Sequence, residues 1–178
     1  MQSDQTRQFM SDIFEIKQAT INDTALILSF IKELAEYEKL LHEVVATEDA
    51  LKETLFGEHA HAEVIIGYLN QTPISFALYF HNFSTFLGKP GIYLEDLFVR
   101  PEARGKGIGQ KMLGYLAALA KSRKCGRLEW WVLDWNETAV GFYKRIGAKA
   151  MDEWTVYRVT DQALDTLAAT WDGDVLKK

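Results

Sequence analysis

A glycine-rich loop at residues 104–109, Arg-Gly-Lys-Gly-Ile-Gly, has the composition of a phosphate-binding loop. Glycines let the backbone approach a bulky anion, and the free amides and dipole of a following helix favour negative charge. The spacing matches neither common nucleotide motif, because Gln110 stands where a dinucleotide fingerprint needs its last glycine and no Lys-Ser or Lys-Thr pair follows Gly109. The loop predicts a phosphate-bearing ligand of another kind, or a turn that only joins a strand to a helix.

Two adjacent carboxylates, Glu95 and Asp96, interrupt an apolar segment that has the pattern of a strand. Charge within a buried strand is costly unless it is paired or used for function. Because neighbouring strand residues point to opposite faces, we expect that the two do not serve one pocket directly. A partner arginine or lysine, or an exposed face for one of the two, is the structural alternative.

Tyr143 shares one face of a predicted helix with Ala139 and Ile146. That pattern is typical of a tyrosine packed in the protein core, and the residues alone favour this interpretation. The functional alternative is a proton donor, because a tyrosine phenol has an ordinary pKa of about 10 and is mostly protonated near neutral pH.

His59, His61 and Glu63 alternate along the chain, a spacing that sometimes marks a metal site. The His-x-His-x-Glu spacing is loose and no further cluster of ligand-type residues accompanies it. We therefore predict no metal, and the sequence assigns neither histidine a role.

The chain as a whole has the composition of a globular protein, with 178 residues of which 48% are hydrophobic and 25% charged. We predict a flexible tail over residues 1–12 and a single domain over residues 13–178. The tail lacks the apolar centre of a signal peptide, and no apolar run reaches the roughly 18 residues of a membrane helix. With a lone cysteine, Cys125, these features predict a cytoplasmic protein without a membrane partner, and a net charge of −5 argues against nucleic acid.

Charge is distributed unevenly along the chain. An acidic stretch at residues 33–58 holds eight acidic and two basic residues, whereas a basic stretch at residues 100–124 holds seven basic residues and one acidic residue. The two stretches are interpreted either as solvated helix faces or as sites for two ligands of opposite charge.

Hydrophobic periodicity and capping residues predict alternating strands and helices. Strands are predicted over residues 13–19, 62–69, 73–81, 92–100, 128–133 and 148–159. Helices are predicted over residues 23–38, from Thr47 to Gly57, from about Gly107, over 136–146 and over 161–169. The mixture predicts an α/β (or α+β) fold with a mixed sheet.

Several blocks of the chain resemble the GNAT acetyltransferases, and within them the diamine and polyamine acetyltransferases. The blocks are Tyr93–Val99 with Pro101 and Arg104–Gly109, then Asn136 with Gly141–Arg145 and Gly147–Ala148, and also Lys32–Glu38 and Phe56–His59. The similarity spans residues 13–165 and implies a strongly twisted mixed β-sheet flanked by helices, usually as a homodimer. Two departures, a short hairpin between the second and third strands and Leu97 in place of an aromatic residue, concern the choice of substrate.

The resemblance implies acetyl-CoA as the co-substrate. Phe98 and Val99 would offer backbone groups to its pantetheine arm, and the loop glycines would hold its pyrophosphate. The cofactor-binding residues implied are Leu97, Phe98, Val99, Arg104, Gly105, Lys106, Gly107, Ile108, Gly109, Asn136 and Tyr143.

The resemblance also implies a role for Tyr143 as a general acid that protonates the CoA sulfur, and this role replaces the interpretation as a core residue. We interpret Glu95 as the second catalytic residue, which binds the cationic amine and ends a water path that removes its proton. Tyr37, Glu38 and Asp96 complete the predicted amine pocket, with a solvated helix end as the alternative for Glu38.

The function implied is an N-acetyltransferase that acts on a diamine, a polyamine or a lysine-like amine by direct attack in a ternary complex. The alternatives are a protein amine or an antibiotic as acceptor, or a non-catalytic acyl-CoA sensor. Retention of Tyr143, Glu95 and the glycine loop argues against the sensor.

Overall fold

The structure, a computed structural model, describes residues 12–175. Its strands are β1 (Phe14–Gln18), β2 (Glu63–Leu69), β3 (Thr72–Ser84), β4 (Lys89–Val99) and β5 (Leu128–Trp130). Its helices are α1 (Thr24–Tyr37), α2 (Glu48–Phe56), α3 (Ile108–Ser122), α4 (Glu137–Arg145) and α5 (Asp161–Ala168).

The described chain divides into two compact units, which meet in the sequence between Trp131 and Val132. The first unit contains all five strands with α1 to α3, and the second contains α4 and α5. The single domain predicted over residues 13–178 stays a prediction. The predicted tail, apart from Asp12, lies outside the described residues.

The first unit is built on a five-stranded sheet in the order β1-β2-β3-β4-β5. The first three pairings are antiparallel and the pairing of β4 with β5 is parallel, so the sheet is mixed. The predicted α/β class, a mixed sheet with flanking helices, is confirmed.

The hairpin between β2 and β3 turns at Asn70 and Gln71, whose φ angles are 50° and 66°. Two consecutive left-handed residues match the twist of the flanking strands, and asparagine tolerates that conformation better than most residues. The turn predicted at residues 70–73 is confirmed, and β3 continues beyond its predicted end to Ser84.

Apolar side chains of α1 cover one face of the sheet. Ile27 and Phe30 are fully buried, and the ring of Phe30 stacks on Phe76 of β3 at a centroid distance of 5.2 Å. They form one core cluster with Val64, Ile66 and Phe98 of the neighbouring strands. This packing fixes the C-terminal half of α1 close to β4, which matters for the site described below.

Helix α3 follows β4 through a short 3-10 turn at Pro101–Ala103 and the glycine loop. Ile108, Met112 and Leu116, spaced by four residues, form its buried stripe. Proline lacks the N–H that would continue the strand ladder, so the strand ends before Pro101. The predicted end of β4 at this point is confirmed.

The last two predicted strands also differ from the structure. Strand β5 ends at Trp130 instead of residue 133, and the strand predicted over 148–159 is wrong, because in the described part of the chain those residues pair with no strand. A strand exists only through its ladder with a neighbour, and an alternating sequence pattern does not provide that neighbour.

An ion pair joins β2 to the end of α3. Glu63 accepts a hydrogen bond of 2.8 Å from Nη2 of Arg123 and another of 3.2 Å from the hydroxyl of Tyr79, which is fully buried. The arginine donors hold the pKa of Glu63 below its ordinary value. Glu63 of the alternating His-x-His-x-Glu pattern therefore has a structural role.

We expect Glu63→Gln to lower the free energy of unfolding by about 1–2 kcal/mol at pH 7, since hydrogen bonds to charged groups are worth more than neutral ones. Because the folded-state pKa of Glu63 is lowered, its stabilisation is present above the unfolded pKa and is lost as the pH falls through the folded value. Urea denaturation should therefore show a constant difference from wild type at pH 6–8 that shrinks below about pH 4.5.

The matched control is Glu15→Gln, which breaks the exposed Glu15–Lys17 pair of β1. Exposed pairs contribute little, so this variant should stay within about 0.5 kcal/mol of wild type. Equal effects of the two substitutions would mean that the Glu63–Arg123 pair contributes no more than a surface charge.

Candidate active site

The C-terminal half of β4 has a free backbone edge in the sheet. Strand β5 pairs with β4 only from Ile92 to Leu94, whereas the pairing of β4 with β3 continues to Val99. Within residues 12–175, β4 therefore has a sheet neighbour on one side only from residue 95 onward. Such an edge presents N–H and C=O groups that an extended ligand is able to pair with.

A β-bulge lies at the start of this edge. Leu94 pairs with Tyr79 and Asp96 pairs with Leu78, so Glu95 is one extra residue on β4. A bulge interrupts the alternation of side chains between the two faces of a sheet. Strand alternation therefore does not place Glu95 and Asp96 on opposite faces, contrary to the expectation from the sequence. The sequence contained no signal of the bulge beyond the unusual Glu-Asp pair.

The charges of two other carboxylates act on Asp96 at the bulge. Burial, together with the charges of Glu95 and of Glu38 at the end of α1, raises the pKa of Asp96 to about 6. Burial also raises the pKa of Glu38. The structure thus brings together three of the residues predicted for the amine pocket, and their clustered negative charge favours a cation.

Two glycines of the glycine loop have a left-handed backbone conformation. Gly105 and Gly107 have φ angles of 76° and 75°, a left-handed region that favours glycine, and Gly107 directly precedes the first turn of α3. A Cβ built on Gly109 would meet nothing within 4 Å. The first amides of α3, including that of Ile108, have no partner within the helix by its geometry, so the loop can accommodate an anion.

Arg104 connects this loop with both β4 and α1. Its Nε donates a hydrogen bond of 2.9 Å to the carbonyl oxygen of Val99, and its Cζ lies 4.6 Å from the ring centroid of Tyr37 and 5.5 Å from that of Phe98. The structure thereby brings Tyr37 of the predicted amine pocket next to the predicted CoA loop. Lys106, in the same loop, is exposed.

The side chains at the end of β4 differ in their surroundings. Phe98 is buried in the core, where its ring meets that of Phe30 edge-on at 6.5 Å, and its backbone pairs with Phe76 of β3. Leu97 is half-buried and its backbone pairs with Ala77 of β3.

The acidic and basic stretches partly neutralise each other. Glu33 accepts hydrogen bonds of 2.9 Å from Nε and 2.7 Å from Nη2 of Arg100, which hold its pKa below the ordinary value. Sixty-seven positions separate the two residues. Sequence reasoning missed this pair, because nothing in a linear pattern shows which charges meet across such a distance.

The remaining predicted residues lie in the second unit. Asn136 caps α4, its Oδ1 accepting a hydrogen bond of 3.2 Å from the backbone amide of Ala139. Tyr143 lies in the last turns of α4, half-buried, with its ring centroid 5.5 Å from that of Phe142. Gly147 has a φ angle of 87°, and the helix predicted between Asn136 and Gly147 is confirmed.

Known proteins are similar to this chain in both sequence and fold. Residues 28–148 match the model of the acetyltransferase (GNAT) family. The chain is 37% identical over 164 residues to a thialysine N-epsilon-acetyltransferase of Bos taurus, and the match covers 86% of this chain and 96% of that protein. It is 30% identical over 197 residues to an L-ornithine N5-acetyltransferase of Arabidopsis thaliana, which covers 85% of this chain and 86% of that protein.

A solved structure agrees with these matches. An integron cassette protein from the mobile metagenome of V. cholerae superimposes with a TM-score of 0.74 at 33% identity. The match covers 87% of this chain and 97% of that one.

Proposed function

The chain belongs to the GNAT acetyltransferase family and is an N-acetyltransferase, and on this premise we propose that it moves the acetyl group of acetyl-CoA to a primary amine of a small cationic substrate. The acceptor class proposed is a diamine, a polyamine or an amino acid with a terminal amine, such as a lysine analogue. The two relatives named above are described as acting on thialysine and on L-ornithine, which both carry a side-chain amine.

The observation that carries this proposal is the arrangement of opposite charges along β4. The strand bears the carboxylates of Glu95 and Asp96 at its bulge and leads at its end into the glycine loop. An extended strand spans roughly 13 Å over the four residues from Glu95 to Val99. A site for a cation and a site for an anion are thus separated by one free backbone edge.

Acetyl-CoA would use the free edge and the loop. We propose that its pantetheine arm pairs with the backbone of Leu97, Phe98 and Val99 as an added strand would, and that its pyrophosphate binds the amides of the glycine loop. An amide of the same edge would stabilise the negative charge that develops on the thioester oxygen. The cofactor contacts proposed are with Leu97, Phe98, Val99, Arg104, Gly105, Lys106, Gly107, Ile108, Gly109, Asn136 and Tyr143.

The amine would bind at the acidic end of the edge. An alkylamine has a pKa of about 10.4 and arrives as an ammonium ion at neutral pH, so a negative pocket stabilises it and a proton must leave before attack. We propose Glu95, Asp96, Glu38 and Tyr37 as its binding residues. The raised pKa of Asp96 supports a pocket that a second positive charge would complete.

The proposed chemistry is a direct attack of the neutral amine on the thioester carbonyl. The amide C–N bond forms and the C–S bond breaks. Glu95 passes the first ammonium proton through water to solvent before attack. Tyr143 protonates the departing sulfur, and the second proton lost by the nitrogen restores the Tyr143 hydroxyl. The products are the N-acetylated amine and CoA with a free thiol, and the step uses no metal.

For the setting of the enzyme we propose a homodimer in the cytoplasm. The lone Cys125 supports a reducing compartment and the resemblance supports the dimer. Residues 12–175 contain no helix long and apolar enough to cross a membrane. Light scattering of the purified chain, with a mass of about twice the monomer expected, tests the dimer.

The proposed function is tested by release of CoA thiol from acetyl-CoA with a panel of amines that contains diamines, polyamines, ornithine, lysine analogues, neutral monoamines, an aminoglycoside and a lysine-containing peptide. Fastest release with a small dicationic amine supports the proposal. Fastest release with the aminoglycoside or the peptide would instead support the antibiotic or protein-amine alternative, and no release with any amine although CoA binds would support the sensor.

The glycine loop has its own test in Gly109→Val, which we expect to lower CoA affinity at least tenfold in calorimetry. The position has open space and no positive φ, so the fold accepts a side chain that a closely bound pyrophosphate would not. Gly107→Val is less suitable, because its φ of 75° would strain valine with or without a ligand.

The matched control is Gly114→Val, on the same helix and also with nothing within 4 Å. Both substitutions replace a glycine of α3 by the same β-branched residue, which has a slightly better helix propensity than glycine. Unchanged CoA affinity in Gly109→Val would place the phosphates elsewhere.

A further inference from the structure

Two arginines hold the C-terminal half of α1 against the end of β4. Arg100 binds both carboxylate oxygens of Glu33, and Arg104, four residues later, lies 4.6 Å over the ring of Tyr37. Glu33 and Tyr37 are also four residues apart, so they occupy successive turns on one face of the helix. Two side-chain contacts thus hold the same helix face to the segment that leads into the glycine loop.

The first contact, between Arg100 and Glu33, is rigid. Besides Glu33, Arg100 donates a hydrogen bond of 2.9 Å to the carbonyl of Pro73 and lies 4.7 Å from the ring centroid of Phe30. Ser29 donates a further hydrogen bond of 2.9 Å to Glu33. Contacts with β3 and with α1 leave this arginine little freedom to move.

The second contact, between Arg104 and Tyr37, is able to change. Arg104 is exposed and belongs to the loop, where, among the described residues, its side chain makes one hydrogen bond, to Val99, in addition to its two ring contacts. The end of α1 that it touches closes through the hydrogen bonds of the Glu38 and Leu40 amides, but Lys39 has a φ of 63° there, a conformation that costs a residue other than glycine some stability. An outside contact therefore has a measurable influence on where Tyr37 and Glu38 lie.

We propose that Arg104 is a positioning residue that couples the two substrate sites: occupancy of the glycine loop fixes Arg104 on Tyr37, which orders the amine pocket. This inference rests on the proposed function. The planar guanidinium suits the task, because it stacks on an aromatic ring and donates a hydrogen bond at the same time. Glu38 follows Tyr37 directly and acts on the charge of Asp96, so an ordered helix end also sets the carboxylates of the pocket.

The coupling is tested by hydrogen exchange of the backbone amides at the end of α1, with CoA itself as the probe. The amides of Glu38 and Leu40, bonded to the carbonyls of Leu34 and Ala35 at 2.9 and 2.7 Å, report fraying of that end. In the wild type, saturating CoA should slow their exchange about two- to fivefold, the factor that corresponds to one exposed cation–π contact. In Arg104→Gln the slowing should disappear, although the loop amides at residues 105–110 are still protected.

The controls separate this role from simple phosphate binding. Lys106→Gln removes the same charge from the same loop and should keep the response of α1 once CoA is saturating. Tyr37→Phe keeps the ring and the response, whereas Tyr37→Leu should abolish it. With the best amine of the panel, Arg104→Gln should raise the KM for the amine about two- to fivefold and change kcat less.

Each outcome is decisive. If CoA protects the loop but not the end of α1 in the wild type, the coupling is wrong while the proposed function stands. If Arg104→Gln weakens CoA binding and leaves the α1 response at saturation, Arg104 is a cofactor ligand only. If CoA protects no part of the wild-type chain, the proposed function itself fails.

Discussion

Tyr143→Phe is expected to lower kcat by about 10²–10⁴-fold, the usual contribution of a general acid, and to leave the fold and the affinity for CoA unchanged. The substitution removes only the hydroxyl, so α4 keeps its ring contact with Phe142. Without a proton donor the thiolate must leave unprotonated, which raises the barrier of the step that breaks the C–S bond. Steady-state kinetics, calorimetry with CoA and circular dichroism together measure the three quantities.

The matched control is Tyr157→Phe, which removes the hydroxyl of a tyrosine of the second unit that is 91% exposed. It should not change kcat. Full activity of Tyr143→Phe would rule out the role of general acid and return the residue to the core interpretation, and a large loss of CoA affinity would make it a cofactor contact instead.

Glu95→Gln is expected to reduce the preference for a diamine over a neutral amine of equal length by about tenfold, measured as the ratio of their kcat/KM values. The amide keeps the shape of the side chain and removes the charge that binds the second cation, and charged hydrogen bonds of this kind are worth on the order of a tenfold change in affinity. Added salt should weaken the wild-type preference, because exposed charges are screened over about 8 Å at physiological ionic strength.

The control for the acidic stretch is Glu36→Gln, on the exposed side of α1. Equal effects of Glu36→Gln and Glu95→Gln would mean that overall negative charge, not Glu95 itself, selects the cation. If neither variant changes the ratio, the stretch is a solvated face and Glu95 does not select the cation.

The same variant reports on Asp96 through its pH profile. The charge of Glu95 contributes to the raised pKa of Asp96, about 6, so its removal should lower that pKa. Because the ionised carboxylate binds the cation, the acidic limb of kcat/KM for the diamine should move to lower pH in Glu95→Gln. An unmoved limb would mean that Asp96 does not act in amine binding.

Local sequence signals predicted most of the secondary structure. Thr47 caps α2 through its bond with the amide of Ala50, and Asn136 caps α4 in the same way. Such signals act over three or four residues, within the range that a linear pattern describes. The strand predicted over 148–159 failed because a ladder depends on a partner that no local pattern contains.

The candidate site shows the same division. Residue type and short spacing were enough to predict the glycine loop, the caps and the residues of the acidic group, because these features depend on neighbouring residues. Other features of the site follow from tertiary packing: Glu38 acts on Asp96, Glu33 pairs with Arg100, and Arg104 lies on Tyr37. These contacts join segments that are distant in sequence, and the packing of α1 on the sheet brings the segments together. Burial of apolar surface drives that packing, and because burial is not directional, the spacing of residues does not predict which segments meet.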